Sequence, residues 1–174
     1  MGIIKKIVKR EFSTTEFLKM RIKAQSGGCV GKYFKLRYKN TVNSFGAFIP
    51  VDCAIGKGIC FPHGIYGVFI SSGAIVGDNC VIFHQVTIGS NTLVDSKGKG
   101  APTIGDNVYI GCGAKIIGNV KIGNNVRIGA NCVVTQDVPD NSTIVLPKPV
   151  MITHETALDN KFLNYKDFCQ RKHD

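Results

Sequence analysis

Residues 104–120 read IGDNVYIGCGAKIIGNV, and the stretch scans in units of six. Each unit opens on an isoleucine (Ile104, Ile110, Ile116) and reaches Asn107, Gly113 or Asn119 at its fourth place. Outward from it the frame recurs at Ile55, Val76, Ile82, Ile88, Ile122, Ile128 and Val134, with Gly directly after the opening residue in seven of the ten units. The other fourth places are Gly58, Asn79, Gln85, Asn91, Asn125, Asn131 and Asp137. Gly, Asn and Asp tolerate positive φ, so the frame predicts one left-handed corner per unit. The fifth place (Ile59, Cys80, Val86, Thr92, Val108, Ala114, Val120, Val126, Cys132, Val138) is small or apolar throughout. Short extended runs with inward first and fifth side chains, bent at forced corners, describe a prism of parallel strands. Three faces make a coil of ~18 residues, and stacking coils about 4.8 Å apart supplies the core that none can bury alone. Cys80 and Cys132 are then core packing.

Three places break the frame, and function is the usual reason for overriding a local rule. The step from Phe61 to Ile70 is nine residues. Gln85, directly after His84, is the one fourth-place residue that is not Gly, Asn or Asp. The stretch from Ile88 to Ile104 is sixteen residues long, so its middle (Asp95 to Thr103) should bulge out as a loop. His63 and His84 lie 21 residues apart, one coil plus the insertion, and each takes the third, outward place of its unit. They should share one corner. Pro102 follows His84 by 18 residues, which predicts that the loop ends in the same column. A lone outward histidine is often merely solvated, but two on one edge beside a loop suit proton transfer to and from a hydroxyl.

The chain has 174 residues, about one domain's worth, and no apolar run long enough to span a membrane. Its formal charge of +10 resembles a nucleic-acid footprint until it is located. Residues 1 to 48 hold eleven Lys or Arg against Glu11 and Glu16, so nearly all the excess sits there, and a nucleic-acid partner is not expected for the body. Such a segment leaves peripheral contact with an anionic membrane open, although a solvated helical face is the commoner meaning. Seven cysteines with no CxxC pair indicate neither a disulfide framework nor a zinc knuckle and agree with a cytoplasmic location.

The repeat, with Gln136-Asp137-Val138-Pro139 closing it, resembles the hexapeptide-repeat acyltransferases. Their fold is the all-β, left-handed parallel β-helix; the handedness comes from the resemblance alone. The serine acetyltransferase branch is nearest, through Phe61-Pro62-His63-Gly64, Gly67-Val68-Phe69-Ile70 and Val86-Thr87-Ile88-Gly89. The resemblance implies a homotrimer with active sites between subunits, acetyl-CoA as acyl donor, and His63 as the general base, with His84 as its companion. Cofactor contacts carried over position by position fall at Ser90, Gly111, Cys112, Gly113 and Ala130, with Lys148 at a phosphate. Cys112 is a small contact residue in this reading, not a nucleophile. Metal-binding relatives with this fold need three histidines, and His154 and His173 lie beyond the last unit, so no metal is expected.

Departures from the branch bear on the acceptor. Pro62 stands where serine acetyltransferases have an acid, Phe48 near the place of a second acid, and Ala101 at that of a second histidine; their large helical N-terminal domain is also absent. These changes, with Phe83-His84-Gln85, resemble O-acetyltransferases of cell-surface polysaccharide pathways, so a saccharide hydroxyl is the expected acceptor, with Tyr66, Gln85 and Phe48 as its contacts. Serine O-acetylation, N-acetylation of an amino sugar nucleotide and a non-catalytic structural trimer are the alternatives. The expected organisation is a basic, partly helical cap over 1–48, the prism over 49–150 with a loop over 89–103, and a C-terminal helical tail over 151–174. The cap should hold one or two short helices over residues 3–25, ending around Gly27-Gly28, and the tail helix should pack Leu158, Phe162, Leu163, Tyr165 and Phe168.

Overall fold

The computed structural model describes residues 12–160. Two helices, α1 (Thr14–Ala24) and α2 (Gly28–Ser44), precede twelve short strands. The strands are β1 (Ala54–Ile55), β2 (Phe69–Ile70), β3 (Ile75–Val76), β4 (Val81–Ile82), β5 (Thr87–Gly89), β6 (Thr103–Ile104), β7 (Tyr109–Ile110), β8 (Lys115–Ile117), β9 (Lys121–Ile122), β10 (Arg127–Ile128), β11 (Val133–Val134) and β12 (Thr143–Ile144). They form three four-stranded parallel sheets, β1-β3-β6-β9, β4-β7-β10-β12 and β2-β5-β8-β11, the three walls of a left-handed β-helix.

Every opening residue from Val76 to Val134 is buried, as is every fifth-place residue except Thr92. Thr92 was expected inward but is exposed, because it belongs to the loop and not to a wall. Seven of the ten expected corners have positive φ, including the exceptional Gln85 at +59°. The three that do not, Asn91, Asn119 and Asp137, all lie between the β2-β5-β8-β11 wall and the β1-β3-β6-β9 wall. That corner carries the loop. Asn91 and Gly100 exchange backbone hydrogen bonds (2.8 and 2.9 Å) at its neck, and Asn119 N–H donates to Gly98 O on the next coil (3.0 Å).

The corner leading to β4 and its partners is built from short side chains that bridge coils. The Asp78 carboxylate accepts from Lys57 N–H, Asp106 from Asp78 N–H, Asn124 from Asp106 N–H and Asp140 from Asn124 N–H, at 2.7–2.8 Å. Beside this ladder the amides of Asn107, Asn125 and Asn141 donate one to the next (2.8 and 3.0 Å). Backbone N–H groups freed by the turn thus find partners in the neighbouring coil.

The helices close the open end of the prism, as a solenoid terminus requires. Ser13 caps α1 by accepting from Glu16 N–H (3.3 Å), and Phe17 stacks on Tyr38 of α2 (5.2 Å between centroids) and meets Phe61 edge-on. Tyr38 Oη donates to Ile49 O (2.9 Å) and the buried Arg21 guanidinium to Cys53 O, so Arg21 serves packing and not the basic surface. The expected helical stop at Gly27-Gly28 is where α2 begins: Gly28 (φ +72°) turns the chain, and 17 further helical residues follow. Residues 1–11, including the start of the expected N-terminal helix, lie outside the described residues. So do Phe162, Leu163, Tyr165 and Phe168; the described tail, 151–160, is exposed and contains no helix.

Candidate active site

The coils stack with register steps set by the insertions. Cys60 pairs with Val81, Val81 with Tyr109 and Tyr109 with Arg127, steps of 21, 28 and 18 residues. Carried two or three residues further, the same steps place His63, His84, Cys112 and Ala130 in one column along the corner entering the β2-β5-β8-β11 wall. The histidines meet there. Their Nδ1 atoms lie 3.2 Å apart and their ring centroids 5.2 Å, with His63 exposed and His84 half-buried.

Both histidines stand on a braced backbone. Gly64 N–H donates to Phe61 O (3.0 Å), turning the chain around His63. The His84 carbonyl accepts from Gly113 N–H (3.1 Å). Gln85 N–H donates to Tyr66 O (2.7 Å), and the Lys115 ammonium spans the Gln85 and Gly113 carbonyls at 2.7 and 3.0 Å. A glutamine in the left-handed region costs about 1 kcal/mol or more, which these three bonds at its shoulders offset. Lys115 and Phe83 are functional neighbours that sequence reasoning missed. Phe83 meets His63 edge-on (5.1 Å, 89°) and packs against Tyr109 (5.1 Å). The signal was present, since Phe83 holds a second place that is Gly in seven of ten units.

Four of the residues carried over as cofactor contacts, Gly111, Cys112, Gly113 and Ala130, line the coils beyond the histidines in this column. They leave a shallow, narrow strip: a Cβ on Gly111 would meet Ala130 N at 2.7 Å. Ser90 and Lys148 are elsewhere on the chain. Ser90 sits at the loop corner with its hydroxyl against that of Ser71, and Lys148 is exposed in the segment leaving β12. Tyr66 is 56% exposed, its ring edge-on to Phe45 (4.6 Å). Phe48 lies on the outer face of the wall, stacked on Phe69 (6.5 Å). Pro102 does not follow His84 in the column as expected. It pairs at the level of Ala74, where its carbonyl accepts from Ile75 N–H (3.0 Å), because the loop lengthens that coil to 28 residues and hands the place above His84 to Cys112. Within one chain the loop and the imidazoles therefore leave from different corners.

Burial raises the thiol pKa of Cys53 and Cys80, while Cys112 is half-buried at the site's edge. Among the described residues no group of three His, Cys, Asp or Glu gathers in a way that could hold a metal ion.

Residues 101–136 match the family model described as bacterial transferase hexapeptide (six repeats). A serine acetyltransferase of Staphylococcus aureus is 44% identical over 116 residues, 66% of this chain and 53% of that protein. One from Synechococcus elongatus is 47% identical over 100 residues, 58% of this chain and 40% of the relative. Among solved structures, serine acetyltransferase isoform 3 from Entamoeba histolytica, in complex with cysteine, superposes with a TM-score of 0.60 at 37% identity, covering 71% of this chain and 43% of that one. The chain belongs to the hexapeptide-repeat acyltransferase family. It spans about half the length of the curated relatives it matches. The hexapeptide-repeat assignment accounts for the prism and its left-handed corners; the polysaccharide-specific subtype expected from Phe83-His84-Gln85 gains no support from these relatives.

Proposed function

We propose that this chain transfers the acetyl group of acetyl-CoA directly to a hydroxyl, with serine the first acceptor to try. The observation that carries the reading is the imidazole pair at one end of a strip of small residues, Gly111 to Gly113 and Ala130, shallow enough for an extended thioester. The relatives named serine acetyltransferase support both donor and acceptor.

In this reading His63 Nε2 takes the acceptor's hydroxyl proton as the oxygen adds to the thioester carbonyl. The tetrahedral oxyanion is stabilised by backbone N–H groups at the corner. The C–S bond then breaks, and the thiolate recovers the proton from His63, leaving an ester and free CoA. No acyl-enzyme forms, and Cys112 serves as a small wall residue.

The assembly in this reading is a homotrimer. It would bring the loop of one copy, which leaves from a different corner, toward the histidine edge of the next. The exposed outer faces of Phe48, Phe69 and Val133 favour such burial. A cytoplasmic location belongs to the same reading; no described helix is long and apolar enough to cross a membrane.

A saccharide hydroxyl is the second reading. It is favoured by the exposed ring of Tyr66, whose backbone is bonded to Gln85, and by Pro62 and Phe48 at places where the resemblance expects carboxylates for an amino acid's ammonium. The test is release of CoA thiol from acetyl-CoA with L-serine and with a panel of sugars and amino sugar nucleotides, for the wild type and His63→Ala. Serine-dependent release selects the first reading and sugar-dependent release the second. Transfer undiminished in His63→Ala removes the base assignment, and no release with any acceptor leaves the structural trimer.

A further inference from the structure

We propose that His84 is a positioning residue that holds the His63 ring in the one tautomer able to act as a base. The proposal rests on the acetyl-transfer reading for its consequence, but its geometry stands on the Nδ1 to Nδ1 contact of 3.2 Å. Two ring nitrogens at that distance share a single proton: one carries N–H and the other presents its lone pair. The pair has two arrangements, and they differ in function.

If His63 donates, its proton is on Nδ1 and its Nε2 presents a bare lone pair away from the partner ring, ready for a hydroxyl. If His84 donates, neutral His63 must carry its proton on Nε2 and cannot accept another there. His84 is built to be the fixed member. Its carbonyl is bonded to Gly113, the next residue is held in the left-handed region with bonds from Gln85 to Tyr66 and Lys115, and the residue before it, Phe83, is the ring on which His63 leans. His63 is the exposed ring and His84 the half-buried one, so the outer ring faces the acceptor while the inner one orients it.

In the Ser-His-Asp arrangement the orienting group is a carboxylate that fixes the tautomer and stabilises the imidazolium. Here Pro62 and Phe48 stand where the resemblance expects acids, and a neutral imidazole nitrogen from the neighbouring coil takes the orienting place. When His63 takes the hydroxyl proton on Nε2, its Nδ1–H stays directed at His84 Nδ1, so no proton need pass between the rings. A neutral acceptor contributes orientation with less charge stabilisation than a carboxylate would.

The test compares wild type, His84→Ala and His84→Asn, whose Oδ1 can accept at the position of the imidazole Nδ1. Ring 15N NMR of His63 should show the Nδ1–H tautomer in the wild type, a change toward Nε2–H in His84→Ala, and the wild-type pattern restored in His84→Asn. With the acceptor found above, His84→Ala should lose on the order of 10²-fold in kcat with KM for acetyl-CoA unchanged, and His84→Asn should regain at least about tenfold. Circular dichroism confirms that each variant is folded. A wild-type His63 carrying its proton on Nε2, a tautomer indifferent to position 84, or a folded Asn variant as impaired as Ala overturns the proposal. If no acceptor is ever acetylated, the functional reading fails, while the tautomer measurement still decides the role of His84.

Discussion

The Lys115 ammonium donates to the Gln85 carbonyl at 2.7 Å, pinning a left-handed glutamine to the coil beyond it. Two opposed effects meet at this corner: a strained residue, and bonds that hold it. Lys115→Met should therefore lower stability by about 1 kcal/mol, the net worth of a hydrogen bond. Gln85→Asn should raise it by a similar amount, since Asn occupies this region readily. Thermal melts of both variants check the pair. A Gln85→Asn protein that is stabilised but slower would mean that the side chain is kept for the acceptor and not for the fold.

Asn125 combines a left-handed backbone with an amide that accepts from Asn107 and donates to Asn141. Asn125→Ala loses both features and should cost about 1–3 kcal/mol; Asn125→Gly loses only the amide and should cost less. Equal effects of the two substitutions in urea unfolding would show that backbone strain plays no part.

Burial raises the thiol pKa of Cys53 and Cys80 and the phenol pKa of Tyr38, with desolvation the largest cause in each. A raised pKa makes its stabilising contribution fully present below the unfolded group's ordinary value and removes it as pH climbs toward the folded one. The melting temperature should thus hold through neutral pH and fall above about pH 8.5, where thiols of the unfolded chain begin to ionise. In the native protein Cys60 and Cys112 should react with a thiol reagent, with Cys53, Cys80 and Cys132 reacting only in denaturant. In the acetyl-transfer reading CoA should slow modification of Cys112 but not of Cys60.

Replacing Thr92–Lys99 with Asn-Gly should leave the fold intact, because Asn91 and Gly100 already form the antiparallel neck that a two-residue hairpin needs. The melting temperature should move by only a few degrees. In the trimer reading the same change should reduce acetyl transfer sharply. Full activity in the shortened protein would remove the loop from the site.

The walls were legible because a six-residue frame repeats ten times, and the meeting of His63 with His84 followed from adding a three-residue insertion to a coil. The position of Pro102 was not, for a physical reason. Counting from His84 assumed that a coil keeps its length, yet the loop is paid out sideways and the wall resumes at the place it left, so the true step is 28. The helix α2 was hidden by a different effect. Gly27-Gly28 is a stop signal for α1 and equally the turn that lets α2 fold back on it, and α2 has a polar composition stabilised by Tyr38 and Val42 against the cap. Phe83 was overlooked because an aromatic in an outward place reads as surface until an imidazole is found leaning on it.

The three edges of the prism have divided their duties. One is riveted coil to coil by carboxylates and amides, one carries the paired rings, and the third opens through a neck two residues wide. A segment hung from such a neck can grow, shrink or change its chemistry without shifting any residue on the other two edges. Selectivity can drift while the reacting groups stay in register.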